Sequence, residues 1–146
     1  MRINGAWRRA VMALGAVTLA SSAAYALQGH IKLAALARLE PGLWQLRDLD
    51  NANAQQQAIC VADPAALLQL RHRNSPCSRL VIADDASGAT VHYTCPAGGF
   101  GRTEVRVETP RLAQIDTQGI ANNAPFAYRA EARRIGVCGR GGPRGR

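Results

Sequence analysis

The sequence predicts a mainly β domain with a minor α component: an antiparallel meander forming a curved sheet or small open barrel, one short helix and two disulfides. Three observations carry this expectation. From Ser78 to Arg133 apolar and polar residues alternate with a period of two, the signature of half-buried strands. Asp63-Pro64 is the one strong helix start, because Asp caps orphan N–H groups and Pro suits the first helical position. Four cysteines (Cys60, Cys77, Cys95 and Cys138) follow an export signal, where thiols pair.

Taken in order, residues 27–39 are apolar at roughly helical spacing and are expected to form a short helix or a mobile lead-in. After Glu40-Pro41-Gly42, Leu43–Asp48 reads as a first strand, Asn51–Gln57 as a polar loop and Ala58–Val61 as a second strand. The helix after Asp63-Pro64 carries Leu67, Leu68 and Leu70 and should end near Arg73–Pro76. Arg79–Ala83 and Ala89–Cys95 flank Asp84-Asp85-Ala86-Ser87-Gly88, a turn-forming cluster. Val91, Tyr93 and Cys95 share one face of the second of these strands, and Thr90, His92 and Thr94 share the other. Thr103, Val105 and Val107 alternate with Arg102, Glu104, Arg106 and Glu108, which puts charge on the wet side. Leu112–Gln118 is a weaker strand, and Gly119–Pro125 is expected to be a loop. Phe126, Tyr128, Ala130 and Ala132 then alternate with Ala127, Arg129, Glu131 and Arg133 in a last strand. Such a sheet must close or be covered to hide its edges.

Four cysteines allow three pairings. A hairpin turn centred on Ala86 pairs positions whose numbers sum to about 172, because antiparallel strands run symmetrically away from their turn. Cys77 and Cys95 meet that condition, which leaves Cys60 with Cys138. Each closure is worth roughly 3 to 5 kcal/mol on the chain-entropy estimate. Redox and metal roles lack their motifs: no C-x-x-C occurs, and spacings of 17, 18 and 43 do not resemble zinc knuckles.

The first 26 residues read as a secretory signal. Arg2, Arg8 and Arg9 precede the apolar run Ala10–Ala20, and Ala24-Tyr25-Ala26 offers a small-x-small cleavage site. Cleavage after Ala26 is favoured over an uncleaved anchor, since the apolar run is marginal in length and rich in small residues. The expected location is therefore the periplasm or the medium, and the expected organisation is signal 1–26, lead-in 27–39, disulfide-stapled β domain 40–138 and disordered Arg/Gly tail 139–146. The formal charge is +8, but three arginines leave with the signal and three more lie in the tail. Between Leu27 and Cys138, 12 Lys and Arg face 10 Asp and Glu, so nucleic acid is not the expected partner. The basic tail is expected to be solvated, touching anionic envelope surfaces at most.

No catalytic, cofactor or metal residue is assigned. His30 lies in the lead-in, His72 at the helix end beside Arg71 and Arg73, and His92 on a polar strand face. His72 suits the negative helix C-terminus. Ser75, Ser78 and Ser87 sit in turn contexts, and Asp84-Asp85 before Ser87-Gly88 is turn chemistry, since a calcium loop needs more oxygen ligands at regular spacing. Pro96–Gly101 is glycine-rich but lacks the Lys-Ser/Thr of a phosphate loop, and reads as a flexible strand connection. Trp44 is expected in the core.

Pro41-Gly42-Leu43-Trp44, Ile59-Cys60-Val61 before Asp63-Pro64, Cys77, Tyr93-Thr94-Cys95 and Arg134-Ile135-Gly136-Val137-Cys138 form an ordered set. This set resembles domain of unknown function family 3617, small exported proteobacterial proteins with P-G-x-W, a cysteine before a short helix, a cysteine pair bracketing a hairpin and a terminal G-x-C. The resemblance covers about residues 40–138 and implies a periplasmic β-rich protein. It brings no catalytic residue.

The expected function is a non-enzymatic binding or interaction module, and the expected state is a monomer. Its alternatives are a carrier of a small hydrophobic ligand on the face formed by Val91, Tyr93, Val105, Val107, Phe126 and Tyr128, and an inhibitor or partner of an envelope enzyme. An enzyme is the least favoured class, because no nucleophile–base pattern is visible.

Overall fold

The computed structural model describes residues 32–96 and 98–139. The segment expected to be the export signal, with its expected cleavage site, His30, and the tail from Arg140 to Arg146 lie outside these residues. Among the described residues no helix is long and apolar enough to cross a membrane.

Seven antiparallel strands form one open sheet: β1 (Gly42–Asp48), β2 (Gln57–Val61), β3 (Ser78–Asp84), β4 (Gly88–Thr94), β5 (Phe100–Thr109), β6 (Leu112–Ala121) and β7 (Ala124–Gly136). Their spatial order is β2-β1-β7-β6-β5-β4-β3. The meander from β3 to β7 is thus continuous in sequence and in space. The first hairpin, β1–β2, joins it by pairing β1 with β7. The last strand therefore lies beside the first, and β2 and β3 are the two edges.

Alternation sets the register. Val91, Thr103, Thr117 and Tyr128 lie in one row across β4, β5, β6 and β7, and Ala89, Val105, Ile115 and Ala130 lie in the next. These side chains share the inner face, and nearly all of them are buried. The opposite face carries the charge. Glu131 sits between Arg47 at 3.2 Å and Arg133 at 3.5 Å. Burial pushes its carboxyl up, but the two guanidiniums outweigh this and hold it below the usual carboxylate range.

Two pieces of 3₁₀ helix cover the inner face. The longer, Pro64–His72, begins where the sequence places it: the Asp63 side chain accepts the Ala65 N–H at 2.9 Å, and Pro64 occupies the first turn. It is 3₁₀ rather than α, and Gln69 leaves helical geometry at φ −133°, ψ 49°. Leu67, Leu68 and Leu70 are buried against the sheet. The lead-in is not separate from this core. It forms a 3₁₀ turn over Leu36–Arg38, and Leu33, Ala35, Leu36 and Leu39 are all buried in the same cluster as Val105 and Val107. Burying each leucine is worth about 1.5–3 kcal/mol. Asp84 at the end of β3 holds this segment by accepting the N–H groups of Ala34 at 2.8 Å and Ala35 at 3.3 Å. Trp44 is fully buried, and its indole N–H donates to the Glu40 carbonyl at 3.0 Å.

Two loop assignments from sequence are corrected. Gly119–Pro125 is not a loop: Gly119–Ala121 ends β6 and Ala124-Pro125 begins β7. Only Asn122-Asn123 turns, with both residues at positive φ, 51° and 59°. A two-residue hairpin turn needs that left-handed pair, and asparagine accepts it more readily than most residues. Likewise Phe100 and Gly101 belong to β5, paired with Thr94 and Tyr93, rather than to a flexible connection.

Candidate functional site

The predicted cysteines come together in the predicted pairs, Cys77 with Cys95 and Cys60 with Cys138, with Cα atoms 4.1 and 5.5 Å apart. The β3–β4 register is the one the turn implies. Ser78 faces Thr94, and the pairs continue to Val81 with Val91 before a bulge shifts the last two by one residue. The second bridge ties edge strand β2 to the residues after β7.

Most of the polar residues considered from sequence have local structural partners. Asp85 accepts the Ser87 hydroxyl at 2.6 Å and the N–H groups of Ser87 and Gly88, and these bonds, the hydroxyl first, hold its carboxyl below the usual range. Ser78 donates to the Thr94 carbonyl at 3.3 Å. The Ser75 carbonyl accepts from Gln69 at 3.0 Å. His92 lies beside the Phe100 ring, centroids 6.0 Å apart, on the outer face.

His72 behaves differently. Its ring is turned inward at the helix end. Nδ1 lies 3.1 Å from the Tyr93 hydroxyl, and the ring stands edge-on to Tyr93 at 5.4 Å and tilted against Phe126 at 6.1 Å. Its Nε2 is buried without a hydrogen-bond partner. Two glycines make the room: a Cβ at Gly99 would collide with Nε2, and one at Gly101 would collide with the Tyr93 hydroxyl. A side chain at either position forces the imidazole or the phenol out.

Tyr93 continues inward. Burial pushes its hydroxyl up from its ordinary value, against smaller pulls from Thr117 and Arg71. Thr117 and Thr103 face each other across β5–β6, with hydroxyl oxygens 2.7 Å apart. Thr103 donates to the Leu68 carbonyl at 2.7 Å. Both threonines are essentially inaccessible to solvent, at 0% and 1%. A chain of polar groups thus runs from the helix end, through β4, β6 and β5, back to the middle of the same helix. The bend at Gln69 lies next to the carbonyl that ends it.

Gln69 is the second buried polar organiser. Its amide donates to the carbonyls of His72 and Ser75 at 3.1 and 3.0 Å, and its oxygen accepts the Arg79 guanidinium at 2.8 Å. It closes the helix C-terminus, where carbonyls lack partners. Neither Gln69 nor the threonine pair stands out in the sequence. A polar residue within the leucine run and threonines at inner-face positions were the available signals, and both read equally as ordinary variation.

A shallow hollow of about 150 Å³ lies beside the β1–β2 connection, lined by Arg47, Asp48, Leu49, Ala52, Ala54 and Gln56. Asp50 organises the start of this connection by accepting the N–H of Arg129 at 3.0 Å and its guanidinium, whose bond holds the Asp50 carboxyl below the usual range. The inner face is occupied by Leu67, Leu68, Leu70, Leu33, Leu36 and Leu39. Among the described residues, no group of three or more His, Cys, Asp or Glu side chains is arranged to hold a metal ion.

Comparison with protein-family models, curated proteins and solved structures gave no match. The two disulfides are compatible with an oxidising compartment outside the cytoplasm.

Proposed function

We propose that this chain is an exported, non-enzymatic interaction module that meets an envelope partner with its surface. The observation that carries the reading is the filled inner face. Leucines of the lead-in and the helix occupy the ground that a hydrophobic ligand would need. This favours a surface partner over a carried small molecule. His72 and Tyr93, the titratable pair on the inner face, are turned into the packed interior, and Tyr93 is fully buried. That supports the non-enzymatic reading. The ordered set from Pro41-Gly42-Leu43-Trp44 to Gly136-Val137-Cys138 supports membership of the exported family it resembles, and the Ala24-Tyr25-Ala26 site supports cleavage.

Native mass spectrometry of the protein secreted from its full-length gene tests this. The expected species starts at Leu27, is four hydrogens light and carries no small molecule. A bound ligand in that species would replace the interaction module with a carrier. A species retaining Met1 with free thiols would overturn export.

A further inference from the structure

Most arginines of the sheet are neutralised where they stand. Arg47 and Arg133 share Glu131, Arg134 lies beside Glu40, and Arg129 holds Asp50. The corner where the helix ends is different. Arg71, in the last turn of the helix, and Arg73, just beyond it, are both exposed. Among the described residues neither meets a carboxylate within ion-pair distance. Arg79 reaches the same helix end from β3 and is held by the side-chain oxygen of Gln69 rather than by an acid. The near balance of 12 basic and 10 acidic residues between Leu27 and Cys138 thus hides a local excess of positive charge. That excess lies over aromatic rings. The Arg71 guanidinium stands over Phe126, 5.6 Å from the ring centroid. Tyr128 follows two residues on in β7, on the same face, and both rings are half-buried. The charges of Arg71 and Arg73 both reach the Tyr128 hydroxyl. Asp48 also reaches it, but its carboxylate is engaged locally by the N–H groups of Asp50 and Asn51 at 2.8 and 2.9 Å.

We propose, on the reading of this chain as an interaction module, that Arg71 and Arg73 beside Phe126 and Tyr128 form its docking surface, and that the occupant is an acidic protein segment with closely spaced carboxylates. Planar guanidiniums take carboxylates in two-pronged pairs, which suits Asp and Glu side chains. A guanidinium that already rests over a ring is partly fixed before its partner arrives, so pairing costs less ordering. The exposed edges of the two rings supply apolar contact beside the charges. A lipid surface fits less well, because the rings are half-buried beside the helix rather than projecting from it. A sugar chain fits less well too. Arg71 covers a face of Phe126 and His72 packs tilted against the same ring at 6.1 Å, which takes the ground a stacked sugar would use.

The test is an NMR titration of the oxidised protein with an oligoglutamate peptide, followed through the backbone amides at low and at physiological salt. Shifts should centre on residues 71–73 and 126–128, and the affinity should fall as salt is added. Arg71→Gln combined with Arg73→Gln should weaken binding by about tenfold or more. Arg106→Gln should leave it unchanged, since Arg106 is exposed on the opposite face and already paired with Glu108. Absence of shifts at the helix end, shifts confined to the basic tail, or an equal loss in Arg106→Gln would overturn this surface. Tighter Arg71-dependent binding to phosphatidylglycerol vesicles or to a polyuronate than to the peptide would overturn the acidic protein segment as its occupant. Each of these failures leaves the interaction module standing. That reading falls instead on a ligand-bearing species in the mass spectrum.

Discussion

The two flanks of the sheet are held by different means. On the β1–β2 flank Trp44, Leu46, Ile59 and Val61 bury an apolar face, and a disulfide of separation 78 joins edge strand β2 to the residues just after β7. On the β3–β4 flank the inner side is polar as well as apolar, with Gln69 on Arg79 and His72 on Tyr93, and the disulfide spans only 18 residues. The difference follows from topology. β1 must find β7 across most of the sequence, so its pairing bears a large entropy cost that a covalent closure reduces. β3 and β4 form a hairpin, whose turn sets their register before any bond forms. There, polar groups do what the long bridge does opposite: they select one arrangement.

The sharpest way to break the comparison is to remove each bridge. Replacing Cys60 and Cys138 by Ser should cost up to about 4–5 kcal/mol, and replacing Cys77 and Cys95 about 3 kcal/mol or less, on the chain-entropy estimate. Guanidinium unfolding of both variants measures the difference. Equal losses, or a larger loss from the short bridge, would mean that loop length is not what distinguishes the flanks.

Thr103→Val comes next. It leaves the buried Leu68 carbonyl without the hydroxyl that donates to it and takes away the Thr117 hydroxyl's partner on β5, at about 1–3 kcal/mol by urea denaturation. Adding Thr117→Val should cost less than the two single losses combined, because the partners are removed together. Additive losses would show that the chain does not act as a unit.

A smaller effect is expected in alkali. Burial raises both Tyr93 and Tyr128, so their contribution is fully present below the ordinary tyrosine value of about 10 and is lost as pH rises through the raised folded values. Tyr93→Phe should flatten the fall of melting temperature above that pH, though it lowers stability at neutral pH. A parallel alkaline fall in the variant would remove Tyr93 as its cause.

The smallest effect concerns the edges. Leu80 and Ile82 on β3 are 65% and 51% exposed, whereas β2 is shorter. Leu80→Thr with Ile82→Thr should change stability by no more than about 0.5 kcal/mol. It should reduce self-association on light scattering, because an edge strand with exposed apolar side chains invites pairing. Unchanged association would place the sticky surface elsewhere.

The strands from β3 to β7 were legible because each alternates inward apolar and outward charged residues, and the turns between them carry Asp, Ser, Gly, Pro or Asn. Boundaries were less so. Asn122-Asn123 was visible as a turn, but Gly119, Ala121, Ala124 and Pro125 around it are poor strand formers, recruited by pairing across the β6–β7 hairpin. The cysteine pairing was legible because the hairpin supplied a register. The buried chain was not. Thr103 falls on the apolar side of its strand and Thr117 on a weaker strand, but nothing in the sequence brings the two together under the helix, and His72 reads as a residue that suits the negative end of a helix.

Local chemistry alone therefore determined the antiparallel meander, the helix start at Asp63-Pro64 and both disulfides. Each of these depends on residues close in sequence, on a period, or on elimination among four cysteines. Only the tertiary structure decided that the lead-in belongs to the core, that β1 joins β7, and that His72, Tyr93, Thr117, Thr103 and Leu68 lie along one buried polar path. These depend on which side chains a curved sheet brings face to face. Burial then changes their chemistry, because a polar group removed from water must find its partner inside the protein.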